Sequence, residues 1–234
     1  RRAGADPLLT RGYHTVDLPD GTATPGWFDL RGQVGHYGLP ASLSGMRCLD
    51  VGTWDGFWAF EMERRGAAEV VALDLDDEAD LDWPPRRRPA SFSAGRGDGF
   101  RELRSRLGSS VERVELSVYD ATPERLGSFD VVFCGSVLIH LRDQFLALER
   151  IASVCRGRFV SAEEYDRLTS LLPVALNRWR GDDPAAVVFW RPNLRAWRRM
   201  LWSAGFARVE RHSRFVLQAT DGVKVPHVVH HAFK

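Results

Sequence analysis

The chain has 234 residues, a formal charge of +1, 44% hydrophobic and 27% charged positions; this suits one large α/β domain with a substantial core and excludes a composition too polar to fold. No apolar run approaches the roughly 20 residues that cross a bilayer, and the first residues, RRAGADPLLTRGYH, lack the apolar core of a secretory signal, so the expectation is a cytoplasmic protein with no membrane partner. Near-neutral charge makes no case for a polyanionic partner.

Residues 1–12 read as a loose end. From Tyr13 the text changes to aromatics and turns, with His14, Trp27 and Phe28 among a Pro-Asp-Gly and a Thr-Pro-Gly turn. Such a segment ahead of an alternating core suggests a cap over residues 1–45, with a helix over 27–37 ended by Gly38 and Pro40. The remaining residues, 46–234, form one domain.

Its organising stretch is 46–77. A short apolar run, 47–51, is interrupted by Gly52-Thr53-Trp54-Asp55-Gly56, and Phe57, Phe60, Glu61 and Arg64 then recur at helical spacing up to Gly66. That is strand, loop and helix. The next strand, 69–73, ends at Asp74, about 24 residues after Asp50, where an open α/β unit sets a carboxylate beside the ribose of an adenosine-type ligand. Glycines at 52 and 56 let a ligand approach the helix N-terminus without a Cβ in its way. A pyrophosphate fingerprint is absent, which disfavours a dinucleotide.

An acidic run from Asp76 to Asp82 reads as solvated loop. Residues 91–99 are rich in small side chains, 100–107 have helical period, and 111–118 alternate as a third strand running into Tyr119 and Asp120. Phe129 to Cys134 is a continuous apolar strand of the kind buried on both faces of a parallel sheet. Gly135 and Ser136 follow it at the edge where such sheets bind ligands. A helix comes next, then a fifth strand from Arg158 ending in Glu163 and Glu164. An insertion at about 165–193 carries Trp179 and Trp190 and is the candidate wall for a substrate. A helix over 192–204 stops at Gly205, and 206–216 with 227–233 make a closing antiparallel pair. Cys48, Cys134 and Cys155 lack metal-ligand spacing and read as buried reduced thiols; no metal site is expected. Between residues 176 and 215 nine arginines stand against three acids, which reads as a solvated face.

The run DVGTWDG followed by VVALDLD resembles motif I and the acidic position after it in the class I S-adenosylmethionine-dependent methyltransferases, although that family usually has glycine where this chain has Trp54. The block from Tyr13 to Arg31 and the segment around His140 resemble bacterial methyltransferases related to the tRNA wobble-uridine carboxymethyltransferase. The resemblance implies a Rossmann-like α/β fold: a doubly wound, mostly parallel seven-stranded sheet with an antiparallel last strand. It implies S-adenosyl-L-methionine as cofactor, held by Asp50, Gly52, Thr53, Gly56, Asp74, Leu75, Tyr119, Asp120, Gly135 and Ser136, with Asp120 accepting from the adenine amino group. The carboxymethyltransferases have tyrosine at the position of Ile139, and that phenol helps hold the extra carboxylate of their donor. An alkyl side chain offers no such bond, so the ordinary donor is expected.

Methyl transfer is an in-line displacement that needs a base only when the acceptor must lose a proton. His140, just past the fourth strand, is the first candidate; His14 and Glu163 are second. The leading expectation is methylation of a hydroxyl on a small molecule, as in natural-product biosynthesis. The alternatives are modification of tRNA and a protein that uses the bound sulfonium for other chemistry.

Overall fold

The computed structural model describes residues 12–91, 95–183 and 187–234. The loose end read over 1–12 lies, but for its last residue, outside them. The cap opens with two short parallel strands, β1 (Gly12–His14) and β2 (Gly26–Phe28). Gly26 is obligatory there, because a Cβ would meet the Thr15 backbone nitrogen at 2.1 Å. The helix expected over 27–37 is absent. Instead β2 leads through a turn in which Arg31 binds Asp29 and Asp17 to a single 3-10 turn, Val34–Tyr37, ended by Gly38 at φ +65°. Glycines at 26, 32 and 35 withdraw the helical preference that the apolar spacing suggested.

The core follows as β3 (Arg47–Val51), α1 (Phe57–Arg64), β4 (Glu69–Asp74), α2 (Asp98–Leu107), β5 (Glu112–Glu115), α3 (Pro123–Leu126), β6 (Phe129–Gly135), α4 (Gln144–Val154) and β7 (Cys155–Glu164). The insertion forms a small hairpin, β8 (Asn177–Trp179) and β9 (Trp190–Pro192), before α5 (Leu194–Ser203), β10 (Arg208–Gln218) and β11 (Lys224–Phe233). The third core strand is shorter than its alternation suggested. The Ser117 hydroxyl accepts from the Tyr119 amide and turns the chain into a 3-10 step at Val118–Asp120.

Seven strands make one sheet in the order β10-β11-β7-β6-β3-β4-β5. β11 runs antiparallel to both neighbours, and the five strands from β7 to β5 are parallel. The chain winds outward from β3 through β4 to β5, then returns to β6 on the other side. That reversal opens a crevice at the carboxyl ends of β3 and β6, where open sheets of this kind take ligands.

Burial of the two sheet faces holds the layers together. On one face Leu126, Leu148, Ile151, Trp197 and Leu201 bring α3, α4 and α5 onto Leu49, Val132 and Phe159. On the other, Trp58, Met62, Phe100 and Leu103 of α1 and α2 share a cluster with Phe28, Leu30, Tyr37 and Leu43 of the cap. The cap is therefore continuous with the core that positions the crevice. All three cysteines are free and buried.

Candidate active site

The loop between β3 and α1 is fixed by its own polar groups. Asp50, 2% exposed, accepts from the Thr53 hydroxyl at 2.6 Å and the Ala59 amide at 3.1 Å, so one carboxylate ties the strand end, the loop and the first turn of the helix. Burial pushes Asp50 up to about 7. Gly56 caps α1 at φ +94°, and a Cβ there would strike the Phe60 and Phe100 rings at 2.5 and 2.7 Å.

Trp54 stands in the same loop at φ +51°, a left-handed backbone that ordinarily favours glycine. Two attachments hold it. Its amide donates to Asp74 Oδ2 at 2.7 Å. Its ring stacks on Tyr13 at 4.6 Å and carries the Arg96 guanidinium 3.7 Å from a ring centroid, a cation–π contact. The indole is thus drawn toward the cap and the 95–98 turn.

Asp74 at the end of β4 also accepts from the Leu75 amide at 2.8 Å and lies 3.7 Å from Arg96 Nε. That Nε is buried without a hydrogen-bond partner. Asp55, the other acid of the loop, faces the cap: its two oxygens accept from the His14 amide and contact His14 Nδ1, each at 2.7 Å. His14 is accordingly a buried tether between β1 and the loop.

Across the crevice, β6 delivers Gly135 and Ser136, the latter at φ +57°. His227 Nδ1 lies 3.1 Å from the Val225 carbonyl, which can only accept, so Nε2 is the free acceptor for the Ser136 hydroxyl at 2.7 Å. Burial lowers His227 to about 4, so it is neutral at ordinary pH. Val137 closes on the loop between β3 and α1, since a Cβ at Gly52 would meet its Cγ2 at 2.3 Å.

Glu163, 1% exposed, underlies this turn. Its Oε1 accepts from the Val137 and Leu138 amides at 3.2 and 3.1 Å, and its Oε2 is buried without a partner. Desolvation pushes it up to about 8, against the opposing effect of the amides. His140 follows in the 3-10 turn Leu138–His140. Its Nδ1 donates to the Val187 carbonyl, which leaves the Nε2 lone pair available. Packing around the ring, and then the charge of Arg96, hold its pKa below the ordinary value, while the residue keeps an edge open to solvent.

The structure therefore gathers Asp50, Gly52, Thr53, Gly56, Asp74 and Leu75 on one side of the crevice and Gly135, Ser136, Glu163 and His140 on the other. The Asp120 side chain, after β5, is 62% exposed with Arg125 at 3.9 Å. Tyr119 turns its hydroxyl to Asp82 at 2.5 Å, and Asp82 also accepts from the Arg142 amide at 2.7 Å. One member of the acidic run thus fastens three loops. Sequence reasoning missed Tyr13, Asp55, Arg96 and His227. Arg96, set between glycines 95 and 97, was the one with a local signal.

Residues 30–211 match the family model described as a methyltransferase domain. The chain belongs to that family. Among curated proteins none matches in sequence. Among solved structures the methyltransferase is similar to the N-terminal domain of EvdMO1 with SAH bound, at a TM-score of 0.57 and 18% identity, covering 82% of this chain and 76% of that one. It is similar to the 1,6-didemethyltoxoflavin-N1-methyltransferase of Burkholderia thailandensis at 0.55 and 17%, over 88% and 81% of the two chains. It is also similar to the magnesium protoporphyrin IX methyltransferase of Synechocystis PCC 6803 at 0.54 and 17%, over 82% and 75%. At these identities the likeness is one of fold, and the enzyme's own residues must carry the chemistry.

Proposed function

We propose that this methyltransferase uses S-adenosylmethionine to methylate a hydroxyl group of a small molecule. The observation that carries the reading is His140. Its Nδ1 is committed to a backbone carbonyl, so Nε2 is a neutral base at the rim of the crevice, where a hydroxyl must lose its proton as the new bond forms.

The residues fit the donor. Asp74 has two backbone amides on it and spare lone pairs for the two ribose hydroxyls. Arg96 Nε and Glu163 Oε2, buried without hydrogen bonds, are polar atoms on either side that a polar ligand would satisfy. When bound, the donor supplies an electrophilic methyl on a sulfonium. The chain's part is to hold acceptor oxygen and methyl carbon in line, exclude water and take the proton at His140 Nε2. Glu163, largely protonated at neutral pH, offers a hydroxyl beneath the Val137–Leu138 turn and places no second negative charge there.

The donor is the unmodified one. Ile139 is 4% exposed and packs into the core, so it gives an extra carboxylate no partner, and a buried carboxylate without one is costly. Arg142, whose guanidinium lies 5.9 Å over the Phe189 ring, would have to turn to substitute. Competition binding between the two donors tests this, and a preference for the carboxylated form would overturn it.

For the acceptor, the enzyme is incubated with radiolabelled S-adenosylmethionine and either a small-molecule extract or total tRNA. Label released from the small-molecule product by ether cleavage supports hydroxyl methylation. Label in tRNA, or label that survives as N-methyl, would overturn the reading.

A further inference from the structure

The segment after β7 presents apolar side chains to water on a rigid frame. Leu168 and Leu171 are 72% and 81% exposed, and Leu172 beside them is 46% exposed. A surface loop of ordinary composition would be polar there. Nor is this loop loosely held. Asn193, fully buried, donates to the Thr169 and Val174 carbonyls at 3.0 and 2.9 Å and accepts from the Leu176 amide at 3.2 Å and the Ala196 amide at 2.9 Å. One side chain uses all four of its bonding valences to pin the loop to the start of α5.

The helix continues the same surface. Arg195 donates to the Ser170 and Leu172 carbonyls at 3.4 and 2.9 Å, which brings the leucine loop against it. Arg198, Arg199 and Trp202 follow at helical spacing on the exposed side, Trp202 being 65% exposed. Trp202 stands seven positions after Arg195, about 10 Å along the axis. The helix, LRAWRRMLWS, contains no acid. Among the described residues no carboxylate forms an ion pair with Arg195, Arg198 or Arg199, and Arg198 with Arg211 acts as a local positive field on His230. The sequence alone reads these arginines as a solvated face; their alignment with protruding leucines and an indole changes that reading.

We propose that this surface docks the methyltransferase onto an anionic lipid bilayer. Guanidinium groups pair with headgroup phosphates, an exposed indole suits the headgroup level, and the exposed leucines enter the acyl boundary. Other occupants fit less well. RNA would satisfy the arginines but leave the leucines in water, since aliphatic chains do not stack on bases. A twofold dimer through the same patch would set the cations against themselves. Among the described residues no helix is long and apolar enough to cross a membrane, so the attachment is peripheral and reversible. It is independent of the acceptor proposed above.

The test is flotation of the purified protein with vesicles of phosphatidylcholine alone and of phosphatidylcholine mixed with phosphatidylglycerol, at low and raised salt. Three proteins are compared: the native chain, the double variant Leu168→Ser/Leu171→Ser, and the double variant Arg198→Glu/Arg199→Glu. The native chain should float with the anionic vesicles only. The leucine variant should bind about tenfold more weakly or worse at either salt, and the arginine variant should lose the preference for anionic lipid. Unchanged calorimetric affinity for S-adenosylhomocysteine shows that both variants are folded. No flotation of the native chain, equal flotation of the leucine variant, or tighter binding of tRNA than of anionic vesicles would each overturn the proposal. So would a native dimer that the leucine variant converts to a monomer.

Discussion

Replacing Glu163 by glutamine removes a carboxyl group that the fold keeps protonated. Its ordinary value of 4.5 is raised to about 8 by burial. A folded state that binds this proton more tightly than the unfolded chain gains stability from it at low pH, and loses that gain as pH rises through the interval from 4.5 to about 8. At about 1.4 kcal/mol per unit, the loss across the window is on the order of 4 kcal/mol. Glutamine does not titrate, and its carbonyl can keep the two amide bonds that Oε1 now accepts. Its amino group then occupies the position of Oε2, which has no partner, at an unpaired-donor cost of about 1–3 kcal/mol. The acid's own proton bears a similar cost. Near pH 5 the two proteins should therefore be similar in stability, and near pH 8 the variant should be more stable by roughly 3–4 kcal/mol. Denaturant unfolding of both proteins at a series of pH values reads the difference directly. His227 and His230, each lowered to about 4 by burial, titrate in both proteins and cancel. Parallel stability curves from acid to alkaline pH would mean that Glu163 titrates in the fold as it does in the unfolded chain, and would refute the account of a neutral acid under the turn.

Asp74→Ala should weaken S-adenosylhomocysteine binding about ten- to a hundredfold by calorimetry, the effect of removing a charged acceptor worth ~1.5–3 kcal/mol; unchanged affinity in a folded variant would remove Asp74 from the donor site. Once an acceptor is found, His140→Gln should lower kcat by about 10²–10⁴ and leave donor affinity intact. Because His140 titrates below the ordinary histidine value, its contribution to native kcat should be lost only on the acid side of neutral, and the His140→Gln variant should lack that acid limb. Asp55→Ala breaks both bonds to residue 14 and should cost about 1–3 kcal/mol, with faster hydrogen exchange confined to the cap and the 52–56 loop as the distinguishing sign.

The inner strands of the sheet were legible because they are short, mostly apolar runs with acids or glycine at or near their carboxyl ends, a pattern set by burial on both faces. Asp50 and Asp74 stood out for the same reason: each is an acid at or next to the carboxyl end of a buried strand, β3 and β4. The cap was read less well. Its apolar spacing implied a helix, while glycines at 26, 32 and 35 direct a strand and a single turn. Asp120 followed the logic of Asp74, but it stands in a 3-10 step, Val118–Asp120, that the alternation of the strand did not announce. Trp54 was seen as a departure from the usual glycine. What its ring does depends on Tyr13 and Arg96, 41 and 42 residues away on either side, and no local pattern carries contacts made at that distance.

The fastening of residue 14 to Asp55 matters for anyone who handles the protein. A fusion partner inserted just ahead of Tyr13 would hang from Asp55, a member of the loop after β3, and its bulk or charge would be felt in that loop. The carboxyl end of β11 is a safer handle. β11 runs against its neighbours, so Phe233 pairs with Arg158 at the amino end of β7, and the Lys234 amide is held by the Gly157 carbonyl. A surface-immobilisation tag attached there would leave from the edge of the sheet opposite the crevice, with the full length of the strands between the support and the chemistry.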